Sequence, residues 1–183
     1  YALLSGISFP QEFTDKLTSI QRNIDIIIGE CLHYWVKPLN FGMEYCVFKW
    51  PQDNWDKSWL PIIMEEIDSI SKSPFRLDIR GIQVNPDGCV VAKGYDETGM
   101  IFKIREHLKN NLSFLPNKQS GWAHIPMGRI MEPIGPSKFL ELKYLVDKLD
   151  NILIDSVKIN SAKLVYESRW YMEEKLTLSE FRF

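Results

Sequence analysis

The sequence lacks the cysteine patterns that mark a disulfide framework or a metal site. Its 183 residues contain three cysteines, Cys31, Cys46 and Cys89, without a CxxC pair or Cys/His metal spacing. We therefore expect three reduced, largely buried thiols in a cytoplasmic protein that holds no metal and no other cofactor. Apolar runs approaching ~18 residues are also lacking, so no membrane span is predicted.

The chain has little net charge. Its 22 Lys and Arg residues nearly balance 24 Asp and Glu residues, which gives a formal net charge of -2. Such a chain has no global field that draws it to nucleic acid or a membrane, so an anion would be bound by a local cluster. Neither a low-complexity segment nor a Gly/Ser linker divides it. With 45% hydrophobic residues it can bury a sizeable core, and we predict one bilobal domain over residues 1–183.

Hydrophobic periodicity predicts a mixture of helices and strands. Apolar residues spaced by three and four predict helices at Gln11–Gly29, Leu60–Ser71, Met100–Leu112 and Ser137–Asn151. Extended segments predict strands at Tyr1–Phe9, Gly42–Trp50, Phe75–Val84, Cys89–Tyr95, Trp122–Ile130, Ser156–Tyr171 and Glu174–Phe183, and extended pieces on either side of a turn at residues 37–40. A hairpin is predicted at Asn85–Gly88.

Hairpins between helices favour an α+β fold with largely antiparallel sheets. The order of strands and helices roughly repeats from near Cys89, which predicts two similar lobes around a cleft. The strands Gly42–Trp50 and Trp122–Ile130 are expected in the middle of the two sheets, side by side at this cleft. Trp55 and Trp59 lie in a polar loop and are predicted to be the exposed tryptophans.

The strand Trp122–Ile130 carries a histidine in a largely apolar run. Strict alternation would place His124, Pro126 and Gly128 on one face, and Ala123, Ile125 and Met127 on the core face. An imidazole, a proline and a glycine side by side leave a shallow surface that suits a ligand or another backbone. The structural alternative is a solvent-facing or hydrogen-bonded histidine.

Four segments together resemble the two-histidine (2H) phosphoesterases, the group that includes RNA ligase-like cyclic phosphodiesterases. In order, they are WVKPLNF at residues 35–41, FRLDIRG at 75–81, HIPMGRI at 124–130 and AKLVYES at 162–168. The resemblance covers nearly the whole chain and implies a bilobal fold in which each lobe contributes a His-x-Thr or His-x-Ser strand to a shared cleft. The two histidines supply the base and the acid of phosphodiester chemistry, and the hydroxyls contact the phosphoryl oxygens.

The sequence departs from that motif at three of four positions. His124 stands at the second histidine position, but Pro126 replaces its hydroxyl residue. The alignment puts Gly42 at the first histidine position and Glu44 at the first hydroxyl position; a register shifted by four offers Cys46 and Phe48 instead. Each proton-transfer group is typically worth ~10²–10⁴ in rate, so we predict no more than trace phosphodiesterase activity.

Three functions remain open. The first is a catalytically degenerate protein that binds a nucleotide, an RNA end or another phosphorylated or anionic small molecule in the cleft. The second is an altered cyclic phosphodiesterase in which Glu44, or Cys46, works with His124. The third is a structural or protein-interaction module with a vestigial cleft, whose aromatic surface meets a protein partner through Trp50, Trp55, Trp59, Trp122, Trp170 and Tyr171.

The predicted site residues follow from these interpretations. His124 and Glu44 are the candidate catalytic pair, and the candidate ligand contacts are His124, Arg129, Lys49, Gly42 and Tyr45. Arg129 offers a planar guanidinium for phosphate, with a salt bridge to Glu132 or Glu44 as its structural alternative. Lys49 or Arg129 would also neutralise Glu44, which otherwise repels a phosphate.

Overall fold

The structure, a computed structural model, describes residues 1–6 and 9–183. Within these ranges the helices are α1 (Gln11–Ile28), α2 (Trp59–Ser69), α3 (Met100–Asn111) and α4 (Pro136–Leu149). The strands are β1 (Ala2–Ser5), β2 (His33–Trp35), β3 (Glu44–Val47), β4 (Phe75–Val84), β5 (Cys89–Tyr95), β6 (Ala123–Ile130), β7 (Leu153–Ile159), β8 (Ser161–Arg169) and β9 (Glu174–Arg182). A single 3₁₀ turn lies at Pro38–Asn40, and a tight turn with non-helical φ/ψ at Tyr171 lies at Trp170–Met172.

The strands form two antiparallel sheets. One sheet has the order β3-β1-β8-β9, and the other has the order β2-β6-β5-β4-β7. Strands β7 and β8 follow one another through Asn160 but belong to different sheets, so this short connection joins the two. The predicted α+β class with two largely antiparallel sheets is therefore confirmed.

Each sheet is covered by one pair of helices. Helices α1 and α4 contact each other and the five-stranded sheet, whereas α2 and α3 contact each other and the four-stranded sheet. The spacing that predicted α1 buries Phe13, Leu17, Ile20, Ile24 and Ile28. The helix ends as expected at Gly29, whose φ of 60° is a conformation that glycine adopts at little cost. The residues buried beneath the two helix pairs form one continuous core.

Several predictions about the strands need correction. Strand β3 is shorter than Gly42–Trp50 and lies at the edge of its sheet, not in the middle, whereas β6 is an inner strand. The segment Ser156–Tyr171, predicted as one strand, is divided between β7 and β8. Both sheets combine strands from early and late in the chain, so the lobes are not sequential repeats. The first strand is observed at Ala2–Ser5, and residues 7 and 8 of the predicted Tyr1–Phe9 lie outside the described residues.

The tryptophan loop is also less exposed than predicted. Trp55 stacks on Tyr1 at 4.3 Å between ring centroids, and Trp59 stacks on Phe114 at 4.4 Å. Both tryptophans are half-buried against the core, while Trp170 is 63% exposed. Among the described residues, no helix combines the length and apolar character needed to cross a membrane.

Candidate functional site

Arg105 joins the two sheets where β3 meets β6. Its Nε donates to the Tyr45 carbonyl at 2.9 Å, and its Nη2 donates to the carbonyls of Glu44 at 2.9 Å and Trp122 at 3.2 Å. Arg105 Nη2 therefore donates both to Glu44 in β3 and to Trp122, the residue that precedes β6. This side chain of α3 fixes the backbones of both motif strands and brings a positive charge to the seam between them.

His124 lies half-buried beside this seam. Its Nδ1 is 3.4 Å from both the Trp122 carbonyl and Ser120 Oγ, and its ring packs on Trp122 at 4.9 Å between centroids. Burial lowers the pKa of His124; the Trp122 carbonyl opposes this effect and the charge of Arg105 adds to it. The ring is thus neutral at pH 7, and an Nδ1–H that donates to the carbonyl leaves Nε2 as the acceptor.

Glu44 contributes a carboxyl group with a strongly perturbed pKa. Burial raises the pKa of Glu44 to about 7, and the negative charge of Glu167 on β8 acts in the same direction, while Arg105 opposes both. Among the described residues, no hydrogen bond or ion pair engages the Glu44 carboxyl. The group therefore changes protonation state near neutral pH, where its ordinary value of 4.5 would leave it fully ionised.

An irregularity in β6 changes the predicted face assignment. The pairing with β5 shifts between Val90 and Val91, where Met127 is the extra residue on β6. His124 and Pro126 share a face as predicted, but the bulge returns Arg129 to that face and moves Gly128 to the opposite one. A Cβ on Gly128 would lie 2.4 Å from the Trp35 ring, so this glycine permits close packing of β2 on β6.

Arg129 is engaged by other side chains. Its Nη2 donates to Asp87 at 2.7 Å, and its Cζ lies 5.4 Å from the centre of the Trp170 ring. The partner is therefore Asp87 of the β4–β5 hairpin, not Glu132 or Glu44. Arg129 Nε is buried and has no hydrogen-bond partner within the described ranges. A phosphate would have to compete with Asp87 for this guanidinium.

The other predicted contacts are divided by the fold. Lys49 Nζ donates to the carbonyls of Trp50 at 2.9 Å and Pro51 at 3.3 Å, so it does not neutralise Glu44. The Tyr45 side chain is 1% exposed, and burial raises the pKa of its hydroxyl. Gly42 has open space, since a Cβ there would meet no atom closer than Ser5 Oγ at 3.9 Å. The structure thus brings the Glu44 and Trp122 carbonyls together on Arg105, engages Lys49 with other carbonyls and buries the Tyr45 side chain.

Two site residues were missed by sequence reasoning. Arg105 occupies an ordinary polar position of an amphipathic helix, so nothing in the local pattern distinguishes it. Glu167 lies within AKLVYES, one of the segments that carry the family resemblance, and that segment offered a signal. Arg105 also lines a cavity of about 690 Å³ between α3 and residues 112–121, which neither Glu44 nor His124 lines. Across the described residues, no group of three or more His, Cys, Asp or Glu side chains is placed to hold a metal ion.

Solved structures share this architecture along the whole chain. TT0787 of Thermus thermophilus is 16% identical with a TM-score of 0.71, covering 100% of this chain and 97% of its own. E. coli LigT in its apo form is 10% identical with a TM-score of 0.68, covering 99% and 95%, and LigT is also solved in complexes with phosphate, 3′-AMP and ATP. Kluyveromyces marxianus Usb1 is 10% identical with a TM-score of 0.57, covering 97% and 96%.

The chain therefore has the two-histidine phosphoesterase fold, as its sequence resemblance implied. At these identities the likeness concerns the fold alone. No protein-family model and no curated protein matches the sequence.

Proposed function

We propose that this protein binds a nucleotide, an RNA end or another phosphorylated small molecule in the cleft between its sheets, with little or no turnover. The observation that carries the proposal is the His124 ring beside Arg105. Its Nδ1 faces a carbonyl, and its Nε2 has no partner among the described residues. Because Nε2 is an acceptor while the ring is neutral, a phosphate would bind it through a P–OH group, or together with a proton that turns Nε2 into a donor. The Arg105 guanidinium has no carboxylate partner among those residues either, so its positive charge remains available to attract an anion. Solved complexes of LigT with phosphate and 3′-AMP support phosphorylated ligands for this fold.

The residues at the motif positions support weak chemistry. Gly42 carries no imidazole, Pro126 carries neither a hydroxyl nor an N–H, and Glu44 would repel a phosphate whenever it is ionised. A ligand would thus meet one imidazole and no motif hydroxyl. Binding through His124 and the charge of Arg105 requires neither missing group, whereas efficient phosphodiester cleavage requires both an acid and a base.

Titration calorimetry with inorganic phosphate and 3′-AMP tests the proposal. The parent should bind at least one of them, and His124→Ala should lower the affinity by about 10- to 100-fold, the loss of a hydrogen bond to a charged group. His107→Ala is the matched control, because His107 pairs with Glu66 on α2 at 3.0 Å. Equal affinities of the parent and His124→Ala, or no binding to the parent, would remove the cleft as the binding site.

A second candidate is a slow phosphodiesterase, favoured by the two pKa shifts. A neutral His124 is able to act as a base, and a Glu44 whose pKa is about 7 is able to act as an acid near neutral pH. Hydrolysis of a 2′,3′-cyclic nucleotide distinguishes the candidates. Robust turnover that is lost in both His124→Ala and Glu44→Gln would establish the enzyme, whereas trace activity unaffected by either change supports binding alone.

A further inference from the structure

The turn between β8 and β9, residues 170–173, lies over Arg129. The Trp170 ring stands 5.4 Å from the Arg129 guanidinium carbon. Next to it, the Tyr171 ring stacks on Tyr34 of β2 at 5.2 Å with 14° between the planes. Tyr171 also lies close enough to Cys89 of β5 for each group to shift the pKa of the other. Because Tyr34, Cys89 and Arg129 are aligned across β2, β5 and β6, the turn covers one end of the five-stranded sheet's cleft face.

The same turn is attached to both sheets. The Tyr34 hydroxyl donates to Glu173 at 2.6 Å on the side of the five-stranded sheet. On the other side, Met172 N donates to Glu167 Oε1 at 2.9 Å, and the Met172 side chain packs against Ala2, Leu4 and Val165. Glu167 is the residue whose charge helps to raise the pKa of Glu44. The turn therefore bridges the cleft and contacts the neighbour of a candidate site residue.

The backbone of the turn is unfavourable for the residues it contains. Tyr171 has φ 56° and ψ 35°, and Met172 has φ 60°, both in the left-handed region. Two successive positive φ angles in a hairpin turn favour Asn-Gly, and side chains with a Cβ adopt them at a cost in energy. Contacts outside the turn must offset this cost. The identities of Tyr171 and Met172 are thus explained by what they touch and not by the turn geometry.

We propose that the 170–173 turn is a lid that closes the Arg129 end of the cleft and opens when an anionic ligand competes for that guanidinium. The ligand part of this proposal rests on the proposed function. In the closed state Arg129 is held between Asp87 and Trp170, and its side chain is 28% exposed. Opening removes the Trp170 and Tyr171 rings from the sheet and gives up the Met172–Glu167 hydrogen bond.

The double variant Tyr171→Asn, Met172→Gly tests the lid, because it favours the turn backbone while removing both anchoring side chains. Cys89 is the reporter, because it pairs with Arg129 beneath the turn and lies close to Tyr171, and maleimide labelling measures its accessibility. We expect Cys89 to react about tenfold faster in the variant, a population shift of one order of magnitude. The thiols of Cys31 and Cys46, which are 8% and 3% exposed, should keep their parent rates.

A matched control separates lid opening from relief of backbone strain. Asn151 also has a positive φ, 58°, in an exposed turn between α4 and β7, so Asn151→Gly relieves similar strain elsewhere. It should leave Cys89 labelling unchanged. Equal Cys89 rates in the parent and the double variant, measured at two pH values to account for thiol ionisation, would overturn the lid.

Binding supplies the second readout. The double variant should bind inorganic phosphate or 3′-AMP several-fold more tightly than the parent, and phosphate should accelerate Cys89 labelling of the parent. Faster labelling of the variant with no binding to either protein would support the lid and overturn the proposed function. Faster labelling with unchanged affinity would overturn the claim that the turn gates the cleft.

Discussion

Replacing Glu44 by Gln should stabilise the protein above neutral pH. The folded-state pKa of Glu44 is about 7, whereas its ordinary value is 4.5, so the folded chain binds this proton more tightly than the unfolded chain. Stability from this group is fully present below pH 4.5 and is lost as pH rises through about 7. At 1.36 kcal/mol per pH unit, the loss is about 3 kcal/mol at pH 8. A glutamine at this position would keep the shape of the side chain without carrying this cost.

Urea unfolding at pH 5 and pH 8 measures the effect. We expect Glu44→Gln to raise the unfolding free energy at pH 8 by about 3 kcal/mol and to change it much less at pH 5. Glu65→Gln on the exposed side of α2 is the matched control and should leave the pH dependence of the parent unchanged. If Glu44→Gln and the parent lose the same stability between pH 5 and pH 8, the fold does not raise the pKa of Glu44.

Three further predictions concern the same seam. In an NMR titration the His124 ring should protonate below pH 6.5, and its signal should be absent from His124→Ala; a midpoint above 6.5 would contradict its burial. The Gln119 side chain donates to the Val47 carbonyl at 2.7 Å and accepts from Val47 N at 3.0 Å. Gln119→Glu removes the donor and should lower the unfolding free energy by about 1–3 kcal/mol. An unchanged urea midpoint would contradict this. Combining Gly42→His, Glu44→Thr and Pro126→Thr should raise hydrolysis of a 2′,3′-cyclic nucleotide above the parent, because Gly42 has room for a side chain; activity that stays at the parent level in a folded variant would mean that the cleft no longer holds the family geometry.

Local patterns were sufficient for most secondary structure. The helix predicted at Gln11–Gly29 is observed at Gln11–Ile28, and the Asn85–Gly88 signal forms the β4–β5 turn with Gly88 at φ 82°. Both signals depend on residues close in sequence, where periodicity and turn chemistry decide the conformation. The edge position of β3 depends instead on pairing with β1, and the β6 bulge depends on pairing with β5. Neither is determined by the strand's own residues.

The candidate site was only partly predictable for the same reason. His124 and Glu44 were selected because the family resemblance implies their positions, and their roles stay predictions. The predicted salt-bridge partners of Arg129, Glu132 and Glu44, were wrong. The observed partner is Asp87, which the β6 bulge and the tip of the β4–β5 hairpin bring to Arg129, and both of these are tertiary features. Arg105 donates to the backbone carbonyls of residues 44, 45 and 122. Every residue type carries such a carbonyl, so the sequence gives no sign of these contacts.

The three positions that depart from the motif implied by the family resemblance differ in what they cost this fold. Pro126 lies just past the last backbone bond from the β2 segment to β6, in which Val36 N donates to the Met127 carbonyl, so a missing N–H on that side costs no ladder bond. A Cβ at position 42 would meet no atom closer than 3.9 Å, so the glycine there leaves space and causes no strain. Glu44 alone is costly, because burial and Glu167 oppose its charge and no described group hydrogen-bonds its carboxyl. Packing would favour a neutral side chain at that position, so a carboxyl group whose pKa is raised in this way is better explained by a role in proton transfer than by a role in stability.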